Sequence, residues 1–376
     1  MGADYLVKIK ESKHLHHLIV NLSPLIDRPT GISNYSQNIF SSLKVLDPIL
    51  FESQKYHEFN SYVSQINLIS SQGLWGHLNR LIRTQIELPR IYKKLKLDLI
   101  FSTLPEAPLW SQCRTVLMVH DIIPLHFPNF SPLTAYYRYY VPLVLHEAEH
   151  IICNSQSTAQ DIVKFYNIPI NKITPILLGY DSHHFHSIVE DKSKSKSQEC
   201  SYFLYVGRHA PYKNISRLIS AFANLPANHE YQLWLAGSLD NRYTPALKKQ
   251  VQEMGLVQRV RFLGYVPYDD LPKLFREAIA LVFPSLWEGF GFPVLEAMGC
   301  GTPVITSNLS SLPEVAKDAA ILIDPYKVEE ITDAMMTIAN DAGLRSHLSE
   351  LGLVRASQFS WKKTGQATVE VLKEFM

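Results

Sequence analysis

The amino-acid sequence predicts an α/β protein made of two parallel-sheet units joined by a linker. Three observations carry this. Short apolar runs alternate with amphipathic stretches of helix length, which favours parallel strands with helical crossovers. A Ser/Lys segment at 190–199 has no apolar residue and cannot cover a core, so it reads as an exposed linker. The same alternation restarts beyond it. At 376 residues the chain has room for two domains of ordinary size.

In chain order, the first unit begins with an apolar strand run over His17–Leu22 and a helix over Gly31–Leu43. A long amphipathic helix follows over Trp75–Leu95, then strands over Leu97–Ser102 and Thr115–His120. A Tyr-rich helix spans Leu133–His146. Strand His150–Asn154, helix Thr158–Tyr166 and strand Ile173–Leu178 close the set. After the linker come strand Tyr202–Val206, helix Ile215–Asn224, strand Gln232–Ala236, helix Pro245–Met254 and strand Val260–Leu263. Helix Asp270–Glu277, strand Ala280–Pro284, a Gly-rich loop with a short helix, and strand Thr302–Thr306 continue the pattern. Strand Ala320–Ile323 and helices Val328–Asn340 and Ala342–Ser357 complete it. The expected division is 1–189, a linker at 190–200, 201–357 and a closing helix at 358–376. No fixed-period repeat is present, which excludes a solenoid.

Bulk properties narrow the class. The chain is 46% hydrophobic and 19% charged, with a net charge of +1, so no global field favours nucleic acid or an anionic membrane. Cys113, Cys153, Cys200 and Cys300 lack metal-type or paired spacing and read as reduced thiols. The first residues lack a signal-peptide core, and no apolar run reaches the roughly 20 residues of a membrane span. The expected location is cytoplasmic, with a peripheral membrane contact left open.

Chemistry concentrates after two strands. Gly207 ends the first strand of the second unit, and Arg208 and Lys213 follow near a helix N-terminus. Two cations beside a helix dipole suit an anion, and Arg grips phosphate bidentately. The second concentration is Glu288-Gly-Phe-Gly-Phe292, whose glycines let backbone N–H groups converge on an anion. Glu296 sits about one helical turn further, where a carboxylate can accept two vicinal hydroxyls such as those of a ribose. The bland alternatives are solvated cations and a carboxylate favoured near a helix N-terminus.

These residues, with Val206-Gly-Arg208, Lys213-Asn214 and Gly299-Cys-Gly-Thr-Pro303, resemble the retaining GT-B glycosyltransferases of family four (glycosyl transferases group 1). Pro29–Tyr35, Val119-His-Asp121 and Asn154-Ser155 extend the resemblance over nearly the whole chain. The branch it most resembles includes bacterial O-antigen mannosyltransferases. The resemblance implies two Rossmann-like domains facing each other across a cleft, with a C-terminal helix crossing back to the first. It implies that Glu296 binds the nucleotide ribose, Glu288 the donor-sugar hydroxyls, and Arg208 and Lys213 the diphosphate. Main chain at Gly289, Phe290, Gly291 and Phe292 would cradle sugar and β-phosphate. His120, with Asp121 beside it, would line the reaction centre, and Gly31 would approach the donor phosphates or the acceptor. The family commonly shows more glycine and an Arg near Gly31, where this chain has Ser33 and Asn34.

The implied activity is transfer of a hexosyl group, mannosyl from GDP-mannose in first preference, from a nucleotide-sugar donor to a saccharide or lipid-linked saccharide acceptor. No cofactor and no nucleic acid partner is expected. No Asp-X-Asp motif is present, so metal-independent turnover is expected, with Arg208, Lys213, the loop amides and a helix dipole stabilising the leaving group. A dehydrogenase reading lacks its Gly-X-Gly-X-X-Gly. A non-catalytic nucleotide-sugar binder and a phosphorylase or epimerase remain as alternatives. Arg80, Arg83, Arg90, Lys93, Lys94 and Lys96 read as a solvated helix face, with docking on anionic lipid as the competing reading. Tyr136, Tyr137, Tyr139 and Tyr140 read as core and acceptor-cleft aromatics.

Overall fold

The computed structural model describes residues 17–22, 31–52, 59–63, 73–188, 201–226 and 231–376; at 31–32, 52, 63 and 73–78 it describes the backbone only. The chain divides into two compact units, Met1–Gly179 with Trp361–Met376, and Tyr180–Ser360. The crossover thus precedes the expected boundary at 189. The reason lies in packing: Phe185 sits edge-on to Phe275 at 5.9 Å, and Tyr180 lies against Gly299, both in the second unit. The expected linker at 190–200 lies outside the described residues.

The first unit holds a seven-stranded sheet: β1 (Leu18–Asn21), β2 (Ile49–Glu52), β3 (Asn60–Val63), β4 (Leu99–Ser102), β5 (Thr115–Val119), β6 (His150–Cys153) and β7 (Ile173–Pro175). Its order is β3-β2-β1-β4-β5-β6-β7, with every pairing parallel. Every residue of β1, β4, β5 and β6 is buried. Helices cover both faces of such a sheet, which is why these strands read as unbroken apolar runs. Burying each Leu, Ile or Val stabilises the fold by about 1.5–3 kcal/mol.

Two strands, β2 and β3, were not anticipated in the sequence. Ile49-Leu-Phe51 is a three-residue apolar run between Pro48 and Glu52, and Asn60–Val63 is a polar edge strand. The Tyr-rich helix is also not uniform. It runs as Pro132–Ala135, a π-helical turn at Tyr136–Tyr140, and Val141–Glu147. Pro142 has no N–H to offer the carbonyl four residues back, and the wider turn accommodates that loss.

The second unit holds β8 (Tyr202–Val206), β9 (Gln232–Ala236), β10 (Val260–Gly264), β11 (Ala280–Phe283), β12 (Val304–Ser307) and β13 (Ile321–Ile323). Its order is β10-β9-β8-β11-β12-β13, again all parallel. In each sheet the strand order reverses once, between β1 and β4 and between β8 and β11. Ligands of open α/β sheets bind beyond the carboxyl ends of strands at this reversal.

The closing helix, Trp361–Glu374, packs on the Gly31–Leu43 helix of the first unit. A Cβ at Gly365 would lie 2.2 Å from Ser42 Oγ, so glycine sets the closeness of the two helices. Thr364 Oγ1 donates to the Leu177 carbonyl at 2.9 Å, and Phe375 stacks on His150 at 5.0 Å.

Candidate active site

In the second unit, the chain leaves the buried strands β8 and β11 side by side. Gly207 follows β8, and Gly237 follows β9. A Cβ at Gly237 would stand 1.9 Å from the Gly207 carbonyl oxygen, so the two turns meet backbone to backbone. The fully buried Tyr205 donates its hydroxyl to the Arg208 carbonyl at 3.2 Å, fixing the start of the loop. Arg208 itself is exposed, and its Nη2 donates to the Tyr212 hydroxyl at 3.3 Å.

Lys213 is held more firmly. Its Nζ lies 2.5 Å from Glu288 Oε1, with side-chain exposures of only 13% and 10%. It also sits over the rings of Phe283 and Tyr212, at 5.2 and 5.3 Å. Asn214 explains the geometry. It takes a left-handed conformation (φ 60°), which Asn tolerates, and its side-chain amide donates to the carbonyls of Pro284 (3.1 Å) and Pro325 (2.6 Å). The two loops also join directly, Leu286 N–H donating to the Tyr212 carbonyl at 2.7 Å.

Ser310 and Ser311 shape the Gly-rich loop, and sequence reasoning did not find them. Glu288 N–H donates to Ser310 Oγ at 3.0 Å, and the Ser311 hydroxyl faces the carbonyls of Glu288 (3.0 Å) and Phe290 (2.9 Å). The Asn308-Leu-Ser-Ser311 run carries no pattern that separates it from an ordinary polar turn. Gly291, at φ 109°, starts the Phe292–Gly299 helix, and a Cβ there would meet Leu312 at 2.7 Å. Phe290 is buried and packs edge-on to Phe292 and Phe359, so Gly289–Phe292 is a backbone surface anchored by aromatic side chains.

Glu296 is the fifth residue of that helix, half-buried, and so lies in its second turn. Burial, and secondarily the Asp181 carboxylate, push its carboxyl up to about 8. Asp181 is fixed by a turn: its Oδ1 accepts from the N–H groups of His183 and His184, each at 3.1 Å. Its Oδ2 accepts from the Tyr268 hydroxyl at 3.4 Å, and Tyr268 stacks on His184 at 4.1 Å.

In the first unit, His120 follows β5, and its Nε2 lies 3.0 Å from the Thr103 carbonyl. Burial drives its pKa down to about 4, so the imidazole is neutral at physiological pH. Tyr35, from the helix that Gly31 begins, meets the His120 ring edge-on at 5.1 Å. Asp121 accepts from the Ile123 N–H at 3.0 Å and so starts the next short helix. Residues 23–30, which lead into Gly31, lie outside the described ones.

One grouping expected from the sequence is corrected. Arg80 does not share the exposed cationic face of Arg90, Lys93, Lys94 and Lys96; it is largely buried in an ion pair with Glu106 at 2.7 Å. The sequence lacked the fold that brings Glu106 against the helix. Among the described residues, no helix is long and apolar enough to cross a membrane, and no group of three or more His, Cys, Asp or Glu is placed to hold a metal.

Comparison with known proteins gives this geometry its class. Residues 188–353 match "Glycosyl transferases group 1" and residues 54–184 match "Glycosyltransferase Family 4". The chain belongs to this family of glycosyltransferases, and its two parallel sheets are those of the GT-B fold. Within the family it falls in the branch of O-antigen mannosyltransferases. It is 32% identical to the O-antigen chain mannosyltransferase B of Escherichia coli, over 92% of this chain and 96% of that protein. It is 28% identical to the O-antigen chain mannosyltransferase RfbU of Salmonella typhimurium, over 86% of this chain and 94% of that one. Among solved structures, Anabaena Alr3699/HepE, in complex with UDP and glucose, matches with a TM-score of 0.75 and 22% identity, over 96% of this chain and all of that one.

Proposed function

We propose that this glycosyltransferase moves a mannosyl group, with retention and without a metal, from GDP-mannose to a saccharide or lipid-linked saccharide in surface polysaccharide synthesis. The observation that carries the donor site is the Lys213–Glu288 contact at the sheet reversal: a cation and a sugar-binding carboxylate brought together from two loops. The mannosyl preference rests on the O-antigen relatives.

In this reading Glu296 accepts the ribose hydroxyls, Glu288 the donor-sugar hydroxyls, and Arg208 and Lys213 hold the diphosphate. The Gly207 turn and the Gly289–Phe292 main chain complete the cradle, and Gly31 approaches from the first unit's helix. His120 and Asp121 line the reaction centre, His120 as a neutral hydrogen-bonding group. Breaking the sugar–phosphate bond leaves a cationic sugar and an anionic leaving group. Arg208 and Lys213 stabilise the latter, which is work a divalent metal would otherwise do. The acceptor hydroxyl attacks from the same face and gives its proton to the departing phosphate oxygen. No cofactor takes part, and no nucleic acid is a partner.

A cytoplasmic location with peripheral membrane contact belongs to the same proposal. Ile82 and Ile86 are exposed on the long helix, with Arg90, Lys93 and Lys94 exposed further along it, a pairing that suits an anionic lipid surface. The test of the activity is direct. Incubate the full chain with GDP-mannose, UDP-glucose or UDP-N-acetylglucosamine and mannose-terminated acceptors, and follow nucleotide release and the anomeric NMR signals of the product. Acceptor-dependent GDP release with an α-linked product is expected. Donor binding without release makes the protein a binder, and an inverted product removes the retaining assignment.

A further inference from the structure

The loop after β4, Thr103–Ala107, is tied down from several sides. Thr103 Oγ1 donates to the Asn21 carbonyl at the end of β1, at 3.3 Å. Tyr136 donates its hydroxyl to the Pro105 carbonyl at 3.0 Å. Gln85, from the long helix Gly73–Leu95, donates to the Ala107 carbonyl at 2.7 Å and accepts from Leu109 N–H at 2.8 Å. Between these anchors stands the ion pair. Arg80 Nε donates to both Glu106 oxygens, at 2.9 and 2.7 Å, and Nη2 to Oε1 at 2.7 Å. The Glu106 side chain is 0% exposed and that of Arg80 17%.

A buried pair of this kind adds little net stability over apolar side chains of equal volume. What it does supply is fixed direction, since the planar guanidinium and carboxylate meet in one geometry. Here the direction is handed on within three residues. Thr103 presents its carbonyl to His120 Nε2 at 3.0 Å. A carbonyl only accepts, so Nε2 carries the ring proton and Nδ1 keeps its lone pair.

We propose that Arg80 and Glu106 are positioning residues of the reaction centre: their buried pair fixes the Thr103 carbonyl, which holds His120 as the Nε2–H tautomer and leaves Nδ1 as an acceptor for substrate. This rests on the reading of His120 as a reaction-centre residue. It also joins the long basic helix to the chemistry through one side chain, Arg80.

The experiment compares the full chain with the double variant Arg80→Met/Glu106→Leu, which replaces the pair by apolar groups of similar size. Histidine 15N NMR reads the tautomer, independently of turnover. In the parent, His120 is a single neutral Nε2–H tautomer from about pH 5 to 8. In the variant, mixed tautomers are expected, with the protonation midpoint unchanged or lower, because the ring stays buried and the Thr103 carbonyl that favours its protonated form is loosened. Transfer kcat falls about ten-fold or more, while nucleoside diphosphate affinity stays within about two-fold and thermal stability is unchanged or higher. An undisturbed His120 signal overturns the positioning role. A disturbed signal with full kcat keeps that role and overturns the reaction-centre reading of His120. Should the double variant fail to fold, Glu106→Gln carries the same readout, with a smaller tautomer change expected and none overturning the proposal.

Discussion

Lys213 Nζ lies 2.5 Å from Glu288 Oε1, so the cation assigned to the diphosphate is bonded to the carboxylate assigned to the sugar. The two ligands of a nucleotide-sugar are adjacent along one molecule, and so are the two side chains. A donor bound as proposed draws Lys213 toward phosphate and Glu288 toward sugar hydroxyls, with neither charge left bare. Lys213→Met strands a carboxylate that is 10% exposed. The expected cost is about 3 kcal/mol of stability in urea titration, with kcat lower by about 100-fold or more in nucleotide-release assays. Parental turnover in this variant would remove Lys213 from the phosphate site.

If Glu296 accepts the ribose hydroxyls as proposed, nucleotide binding is proton-linked. Its carboxyl is raised to about 8, so the carboxylate form, able to accept both ribose hydroxyls, is the minority species at pH 7. Nucleotide affinity by calorimetry should therefore strengthen from pH 7 to 9, with proton release on binding. Without nucleotide the stability sign is opposite. The native state holds the proton more tightly than the unfolded chain, so this group's contribution is full below about pH 4.5 and is lost as pH rises through about 8. Glu296→Gln should flatten both dependences and weaken nucleotide binding.

His120 acts at the other end of the scale. Its folded pKa of about 4 lies below the model-compound value of 6.5, so the unfolded chain binds the extra proton first. Its contribution is present above pH 6.5 and is lost as pH falls through about 4. His120→Asn should reduce the slope of thermal midpoint against pH in that window, and transfer should fall with it. A slope identical to the parent's counts against the buried, neutral imidazole.

Two glycines in the second unit separate crowding from backbone preference. Gly237→Ala places a Cβ 1.9 Å from the Gly207 oxygen, and neither turn has a flexible group to yield. Loss of about 3 kcal/mol or more is expected, together with nucleotide affinity, because the Gly207 turn carries Arg208. Gly255→Ala, at φ 67° in open space, should cost only about 1–2 kcal/mol and leave affinity intact.

Metal independence is tested by dialysis. Enzyme treated with EDTA should turn over at the parental rate with or without added Mg²⁺. A loss restored by Mg²⁺ overturns the assignment of charge neutralisation to Arg208 and Lys213.

The buried strands were legible because apolar runs such as Leu-Ile-Val at β1 and Thr-Val-Leu-Met-Val at β5 need no partner to be recognised. Arg208, Lys213, Glu288 and Glu296 were legible as charges clustered beside two glycine-bearing turns, and of these the structure brings Lys213 and Glu288 into contact. Ser310, Ser311 and Asn214 were not read as shaping residues, because a hydroxyl or amide that holds a distant carbonyl looks like any polar loop residue. Arg80 misled for a related reason. An Arg three residues from Arg83 on an amphipathic helix reads as one face, and only the fold shows that Glu106 waits on the other side.

The Trp361–Glu374 helix belongs to the first unit although more than 180 residues of the second are made before it. Vectorial synthesis therefore delivers the pieces out of order. The second unit has its whole sheet once β13 has emerged, whereas the Gly31–Leu43 helix keeps Ser42 uncovered until Gly365 arrives. On the ribosome the later unit can close first, and the earlier one is finished last. A chain truncated after Ser360 should show a protease-resistant second unit and a first unit still open to cleavage.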